Sequence, residues 1–316
     1  MKRKVIQLAG KTLVVSLPSK WAERYGIKKG EEVEVVDIGP YIKIFKESGT
    51  GSDEKKRVTI DLRNANRAAT RAILSGFYKQ GYDEITVMYN SKEVYDAIQE
   101  KRRDAWPGFT VHETGDDRLI VSSFANDSPT EFNASLRRAF LVTISMGEKL
   151  LDAIKRRDYK NLEEIKQMEG LNNQLTSFCE RLINKGFVDK DKASFYYVLC
   201  WNLEKVCDPY RDIICLINEN EKTKISPDIV DLFGITNIIL KKYYEAVFDY
   251  NIKKAISLTS EKCEILKEVG KICKNKSEFE CKVINHLYEI AALASNFSGP
   301  VNVLNNEKLR IHSSNN

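Results

Sequence analysis

The sequence predicts a multidomain α+β chain: a small N-terminal β unit, a middle α/β sandwich and a long all-helical region. Three observations carry this. Residues 1–47 hold short apolar strand patterns around one or two helical turns. A Gly- and Ser-rich stretch, Glu47-Ser48-Gly49-Thr50-Gly51-Ser52-Asp53-Glu54, separates them from alternating strand and helix patterns. From Thr130 the apolar period becomes helical. The expected parts are 1–47, a linker 48–55, 56–126, 130–300 and a flexible tail 301–316.

A length of 316 residues suits two or three domains. Hydrophobic content of 42% with 30% charged residues fits a soluble globular protein. No apolar run approaches the ~18–20 residues of a membrane span, and the basic N-terminus is not followed by the apolar core of a signal peptide. A cytoplasmic location without membrane insertion is expected. The seven cysteines, Cys179, Cys200, Cys207, Cys215, Cys263, Cys273 and Cys281, are odd in number, widely spaced and without a CxxC pair. They read as reduced core residues.

In the first part, the apolar run Leu13-Val14-Val15 ends in Leu17-Pro18. A short basic helix pattern follows, then Gly26-Ile27-Lys28-Lys29-Gly30 and a second strand pattern. Residues 1–30 carry eight Lys/Arg against one Glu, while the whole chain has a net charge of only +5. A polyanionic partner would meet this end.

In the second part, Val58-Thr59-Ile60 reads as a strand and Asn66 to Lys79 as a helix. Ile85 to Met88 reads as a buried strand, and Ser91 caps a helix to about Arg103. Phe109–Glu113 and Arg118–Phe124 pair as a hairpin across Gly115-Asp116-Asp117. In the third part, six helices are expected at about 131–156, 159–184, 190–220, 226–249, 251–274 and 277–297. Asp158, Ser226-Pro227 and Ser277 stand as start signals, and Gly186 and Gly299 as stops. The tail beyond Pro300 is rich in Asn and Ser and is expected to fray. Residues 149–165 echo 242–258, and 203–213 align with 287–297. The region therefore reads as two three-helix repeats, about 131–221 and 226–298.

Gly10, Leu17-Pro18, Arg24, the Gly26–Glu31 turn and the Val-Glu-Val strand give residues 3–46 a resemblance to the AbrB/SpoVT swapped-hairpin family. That resemblance implies a homodimer in which two chains exchange hairpins into one β-barrel. It also implies DNA binding through basic residues, here Arg3, Lys4, Lys11, Lys20 and Arg24. The bland alternative is a solvated basic face on a dimerisation module. Lys11-Thr12-Leu13 departs from the Arg/Thr that often follows the family's glycine, so sequence preference is not legible.

Asn202–Ile213, "NLEKVCDPYRDI", resembles the PhoU signature. Glu204 and Asp208, four apart, share one face of a helix. The resemblance implies that such a pair binds a divalent or ferric metal ion in the first helical repeat, with Glu169 and Asn173 contributed by the preceding helix; oxygen donors suit such cations. A hydrated acidic face is the alternative. In the second repeat the equivalents are Tyr288 and Ala292, so at most one centre is expected. Asn296 keeps the position of Asp212. Residues 67–87 resemble the segment between the two modules in archaeal PhoU-type proteins that carry an AbrB-like domain.

The histidines, His112, His286 and His312, form no catalytic set, and no P-loop, dinucleotide or nucleophile-elbow fingerprint occurs. No enzyme is expected. The resemblances together imply a PhoU-like regulator of phosphate uptake that binds operator DNA near phosphate-transport genes. Its helical part would sense or relay phosphate status, through metal or through contact with the phosphate ABC transporter or its ATPase subunit. The alternatives are a dimeric adaptor that docks on the transporter without touching DNA, and a metal- or phosphate-binding buffer protein.

Overall fold

The computed structural model describes residues 3–8, 10–38, 41–45, 55–115, 117–124, 127–128, 130–220, 224–256, 258, 267, 269, 272 and 276–309. The expected linker 48–54, Asp116, Cys263, Cys273 and His312 lie outside them. The chain divides into two compact units, Met1–Lys55 and Lys56–Asn316.

The first unit holds β1 (Val5–Leu8), β2 (Thr12–Val15), α1 (Ser19–Arg24), β3 (Glu34–Ile38) and β4 (Tyr41–Phe45). Gly10 turns the first hairpin at φ +84°, a conformation open to glycine at little cost, and the Gln7 side chain donates to its carbonyl at 2.7 Å. Pro18, with φ fixed by its ring, stands at the N-cap of α1. The two hairpins, β1–β2 and β3–β4, form separate two-stranded sheets. Register sets Val5 opposite Val15 and Gln7 opposite Leu13, with Ile6 opposite Val14 and Leu8 opposite Thr12. Because strand side chains alternate, both faces of this ribbon carry apolar groups. They are exposed: Val5 64%, Leu13 70%, Ile6 57% and Leu8 59%.

The second unit begins with β5 (Arg57–Asp61), α2 (Arg67–Lys79), β6 (Glu84–Met88), α3 (Lys92–Ala105), β7 (Phe109–Thr114) and β8 (Arg118–Ser123). Sheet order is β5-β6-β8-β7, with β5 parallel to β6 and the other pairs antiparallel. Asn66 and Ser91 cap α2 and α3 through side-chain oxygens. Ile85, Val87, Leu119 and Val121 alternate toward Leu74, Tyr78, Val94 and Ile98 of the two helices.

The helical part comprises α4 (Glu131–Arg156), α5 (Leu162–Asn184), α6 (Lys190–Glu219), α7 (Pro227–Phe248), α8 (Glu278–Ser295) and α9 (Ser298–Leu304). The fourth of the six expected helices is α7. The fifth, 251–274, is helical at 252–256 and otherwise falls largely outside the described residues. α4, α5 and α6 pack on one another, and α8 packs on α6 and α7. All share one continuous apolar core. None of the described helices is long and apolar enough to cross a membrane. Two of the expected start signals are caps, Ser226 before Pro227 and Ser277 in a capping box with Glu280.

Four expectations need correction. α5 starts at Leu162, not near 159, because Arg157 closes α4 in the left-handed region and the chain needs several residues to turn. Gly299 lies inside α9 rather than ending a helix. Of the tail expected at 301–316, the start is helical, in α9 to Leu304 and in a 3-10 turn at Asn306–Leu309: Tyr250 donates to Asn302 at 3.0 Å, and Val301 is buried in the core; residues 310–316 lie outside the described residues. The middle sheet is also part of the helical unit, because α2 and α3 both pack on α5.

Candidate functional site

In the first unit, Arg3, Lys4, Lys11 and Lys20 are all exposed, as are Lys28 and Lys29. Among the described residues none of the first four has an ion pair, so their charge faces solvent. Arg24 is the last residue of α1; its side chain lies outside the description. Trp21 packs its ring 5.7 Å from that of Tyr25, which gives α1 a small aromatic anchor. This unit therefore combines exposed cations with a ribbon that is apolar on both faces, all within about fifty residues.

The second unit holds its charge differently. Where α5 meets α2 and the sheet, Arg181 is 1% exposed. Its guanidinium lies 2.5 Å from Asp83 and 2.9 Å from Asp127. It also donates to the carbonyls of Tyr82 and Tyr78 at 2.5 and 3.4 Å and lies over the rings of Tyr78 and Phe109. Lys185, one turn on, reaches both aspartates at 2.7 Å. Burial opposes ionisation of Asp83, but Lys185 and Arg181 hold its carboxyl below the usual range.

One turn away, Lys79 of α2 lies 2.7 Å from Glu180 of α5 and 3.1 Å from Glu204 of α6. Glu180 is completely buried. Burial pushes its carboxyl up to about 7 against the pull of Lys79. Burial would lower the Lys79 ammonium, and Glu180 and Glu204 raise it instead. The same ammonium sits 5.0 Å above the ring of Trp201.

The four side chains expected to hold a metal lie along the α5–α6 surface, with cations already among them. Arg211 Nη1 is 2.8 Å from Asp208 and 3.6 Å from Glu169. Its other nitrogens bind Asp212 at 2.9 and 3.0 Å. Lys205 lies 3.5 Å from both Glu204 and Asp208. Asn173 donates to Glu169 at 2.6 Å, leaving its own Oδ1 buried without a partner. Among the described residues no group of three or more His, Cys, Asp or Glu is arranged to hold a metal ion. The donor chemistry suits a hard cation, but the arrangement does not fit one, because guanidinium and ammonium groups stand where the ion would go. Tyr288 and Ala292, the positions expected to match Glu204 and Asp208, border a shallow surface groove along α8.

Sequence reasoning located the exposed lysines but missed Arg181, Lys79 and Glu180. A signal existed. Glu180 and Arg181 interrupt the apolar run Phe178-Cys179 and Leu182-Ile183, and charges inside such a run are rarely buried unless paired. Among the described residues, Cys179, Cys200, Cys207, Cys215 and Cys281 form no disulfide, and the first three are buried.

Residues 6–48 match the family described as "Antidote-toxin recognition MazE, bacterial antitoxin". The N-terminal segment is thus MazE/AbrB-like. No curated protein matches the chain. Among solved structures, the phosphate transport system regulatory protein PhoU from Streptococcus pneumoniae aligns at 17% identity and a TM-score of 0.46, over 58% of this chain and 97% of that one. At that level the likeness carries no functional assignment.

Proposed function

We propose that this protein is a homodimeric, cytoplasmic DNA-binding regulator whose N-terminal unit is the DNA-binding head. The observation that carries the reading is the pairing of two features in one short segment. Four cations without an ion pair among the described residues face solvent, and a hairpin exposes apolar groups on both faces. A chain of about fifty residues cannot bury such a ribbon by itself. A second copy of the same segment covers it and doubles the basic surface. The match of residues 6–48 to the MazE family supports the same reading.

Regulation of phosphate uptake is the finer part of the proposal. It rests on the resemblance of residues 202–213 to the PhoU signature and on the helical region that contains them. In this reading the helical region relays phosphate status, by contact with the transporter or its ATPase subunit, to the DNA-bound head. No catalytic role is assigned to any residue.

The test is to incubate the full-length protein with sheared genomic DNA and sequence what is retained. Enrichment of fragments upstream of phosphate-transport genes is expected. Retention without enrichment, or none at all, would favour the reading in which the head only dimerises an adaptor.

A further inference from the structure

The acidic cluster on α5 and α6 carries its own cation. Glu169 and Asp208 come from different helices, and Arg211 Nη1 stands between them at 3.6 and 2.8 Å. Two further bonds to Asp212, at 2.9 and 3.0 Å, hold the guanidinium in that position. It is about a third exposed, and its partners range from 20% for Glu169 to 41% for Asp212, so the group is fixed by geometry rather than by enclosure. Lys205 spans Glu204 and Asp208 in the same way at 3.5 Å each. Glu204 also meets Lys79 at 3.1 Å. All three predicted carboxylate ligands are therefore neutralised from within the chain. Asn173, the fourth, spends its amide on Glu169 and keeps only Oδ1.

We propose that Arg211 is a built-in substitute for a metal ion: it ties α5 to α6 through Glu169 and Asp208 and excludes divalent cations from a site that its removal would open. The chemistry follows from charge. A divalent ion bridging Glu169 and Asp208 would have to sit within a few ångströms of an always-protonated guanidinium, which like-charge repulsion forbids while that group is in place. With Arg211 gone, the Glu169 and Asp208 carboxylates from two helices are left to share the space its Nη1 held, beside the Asn173 amide bonded to Glu169 and with Lys205 still 3.5 Å from Asp208. The two carboxylates are oxygen donors suited to Mn²⁺ or Mg²⁺.

The test is Mn²⁺ binding to the full-length protein, followed by electron paramagnetic resonance and calorimetry. The wild type is expected to show no site tighter than millimolar. Arg211→Ala should gain one site at least a hundredfold tighter, lost again in Arg211→Ala/Asp208→Asn and in Arg211→Ala/Glu169→Gln. Circular dichroism shows whether each variant is folded, and Arg211→Gln is the milder replacement should Arg211→Ala fail to fold. A wild-type site at micromolar Mn²⁺ that Asp208→Asn abolishes would overturn the proposal. So would folded Arg211→Ala and Arg211→Gln proteins that gain no binding.

Discussion

Gly147 offers a test in which two physical effects oppose each other. It lies inside α4, where replacing glycine by alanine normally stabilises a helix by about 1 kcal/mol. A Cβ built at Gly147, however, would stand 2.7 Å from both Asn237 Oδ1 and Tyr210 Oη, and 2.8 Å from Tyr210 Cζ. Those two side chains are buried and joined by a 2.6 Å hydrogen bond from the Tyr210 hydroxyl. Neither clashing atom is the free end of a flexible chain, so α4, α6 and α7 must move apart or the hydrogen bond must break. Overpacking costs roughly 1–3 kcal/mol, and a disrupted buried hydrogen bond costs about 1–3 kcal/mol. With both costs incurred, and less the gain of about 1 kcal/mol in helix propensity, Gly147→Ala should destabilise by about 1–5 kcal/mol. Urea denaturation followed by far-ultraviolet circular dichroism measures this as a fall in midpoint at unchanged slope. Tyr210→Phe should make the same replacement cheaper by about 1 kcal/mol, since it removes one clashing atom and the hydrogen bond together. A neutral or stabilising Gly147→Ala would refute the close three-helix contact.

Other consequences can be measured alongside it. Glu180 has a folded-state carboxyl raised to about 7 from an ordinary 4.5. The folded form therefore holds a proton that the unfolded form has released. Stability should be greatest below about pH 4.5 as far as this group is concerned and fall by about 3 kcal/mol as pH rises to about 7. Glu180→Gln should flatten that slope in pH-dependent denaturation; an unchanged slope would assign the effect elsewhere. Arg181→Met leaves Asp83 and Asp127 with Lys185 alone and should cost about 3 kcal/mol, toward the lower end for a broken buried ion pair, read from the same urea curves. Ser277→Ala removes the side-chain cap of α8 and should cost about 1 kcal/mol. Ile6→Glu with Leu13→Glu places a charge on each face of the β1–β2 ribbon. Sedimentation should then show monomer in place of dimer, and a persistent dimer would mean that the ribbon is not the contact.

Much of the helical framework was legible because its punctuation is local. Asn66, Ser91, Ser226-Pro227 and Ser277 each act within one turn of their own position, so sequence alone carries the signal. The start of the expected tail, residues 301–309, is illegible for the opposite reason. Asn and Ser residues after Pro300 look like loop composition, yet Tyr250, some fifty residues earlier, binds Asn302, and Val301 enters a core assembled from distant helices. The acidic cluster is an intermediate case. Four-residue spacing placed Glu204 and Asp208 on one face, as it must. The same helical arithmetic puts Arg211 three residues after Asp208, so a cation beside the carboxylate was readable. What needed the structure was Glu169 arriving from α5 to share that guanidinium. Arg181 was the least legible, since its partners Asp83, just before β6, and Asp127, just before α4, lie far away in sequence and meet it only through tertiary packing.

If the first unit grips DNA through its exposed cations, as proposed, the salt dependence of binding must report it. Fluorescence anisotropy of a labelled operator fragment, titrated with full-length protein across a range of salt concentrations, gives the number of phosphates neutralised. Each contact contributes about 0.9 to the slope of log affinity against log salt. Replacing Lys4, Lys11 and Lys20 by Ala removes six charges from a dimer and should reduce that slope by up to about 5, with the protein still dimeric by sedimentation. A slope that does not change on losing these lysines, or binding that does not weaken with salt at all, would contradict the account.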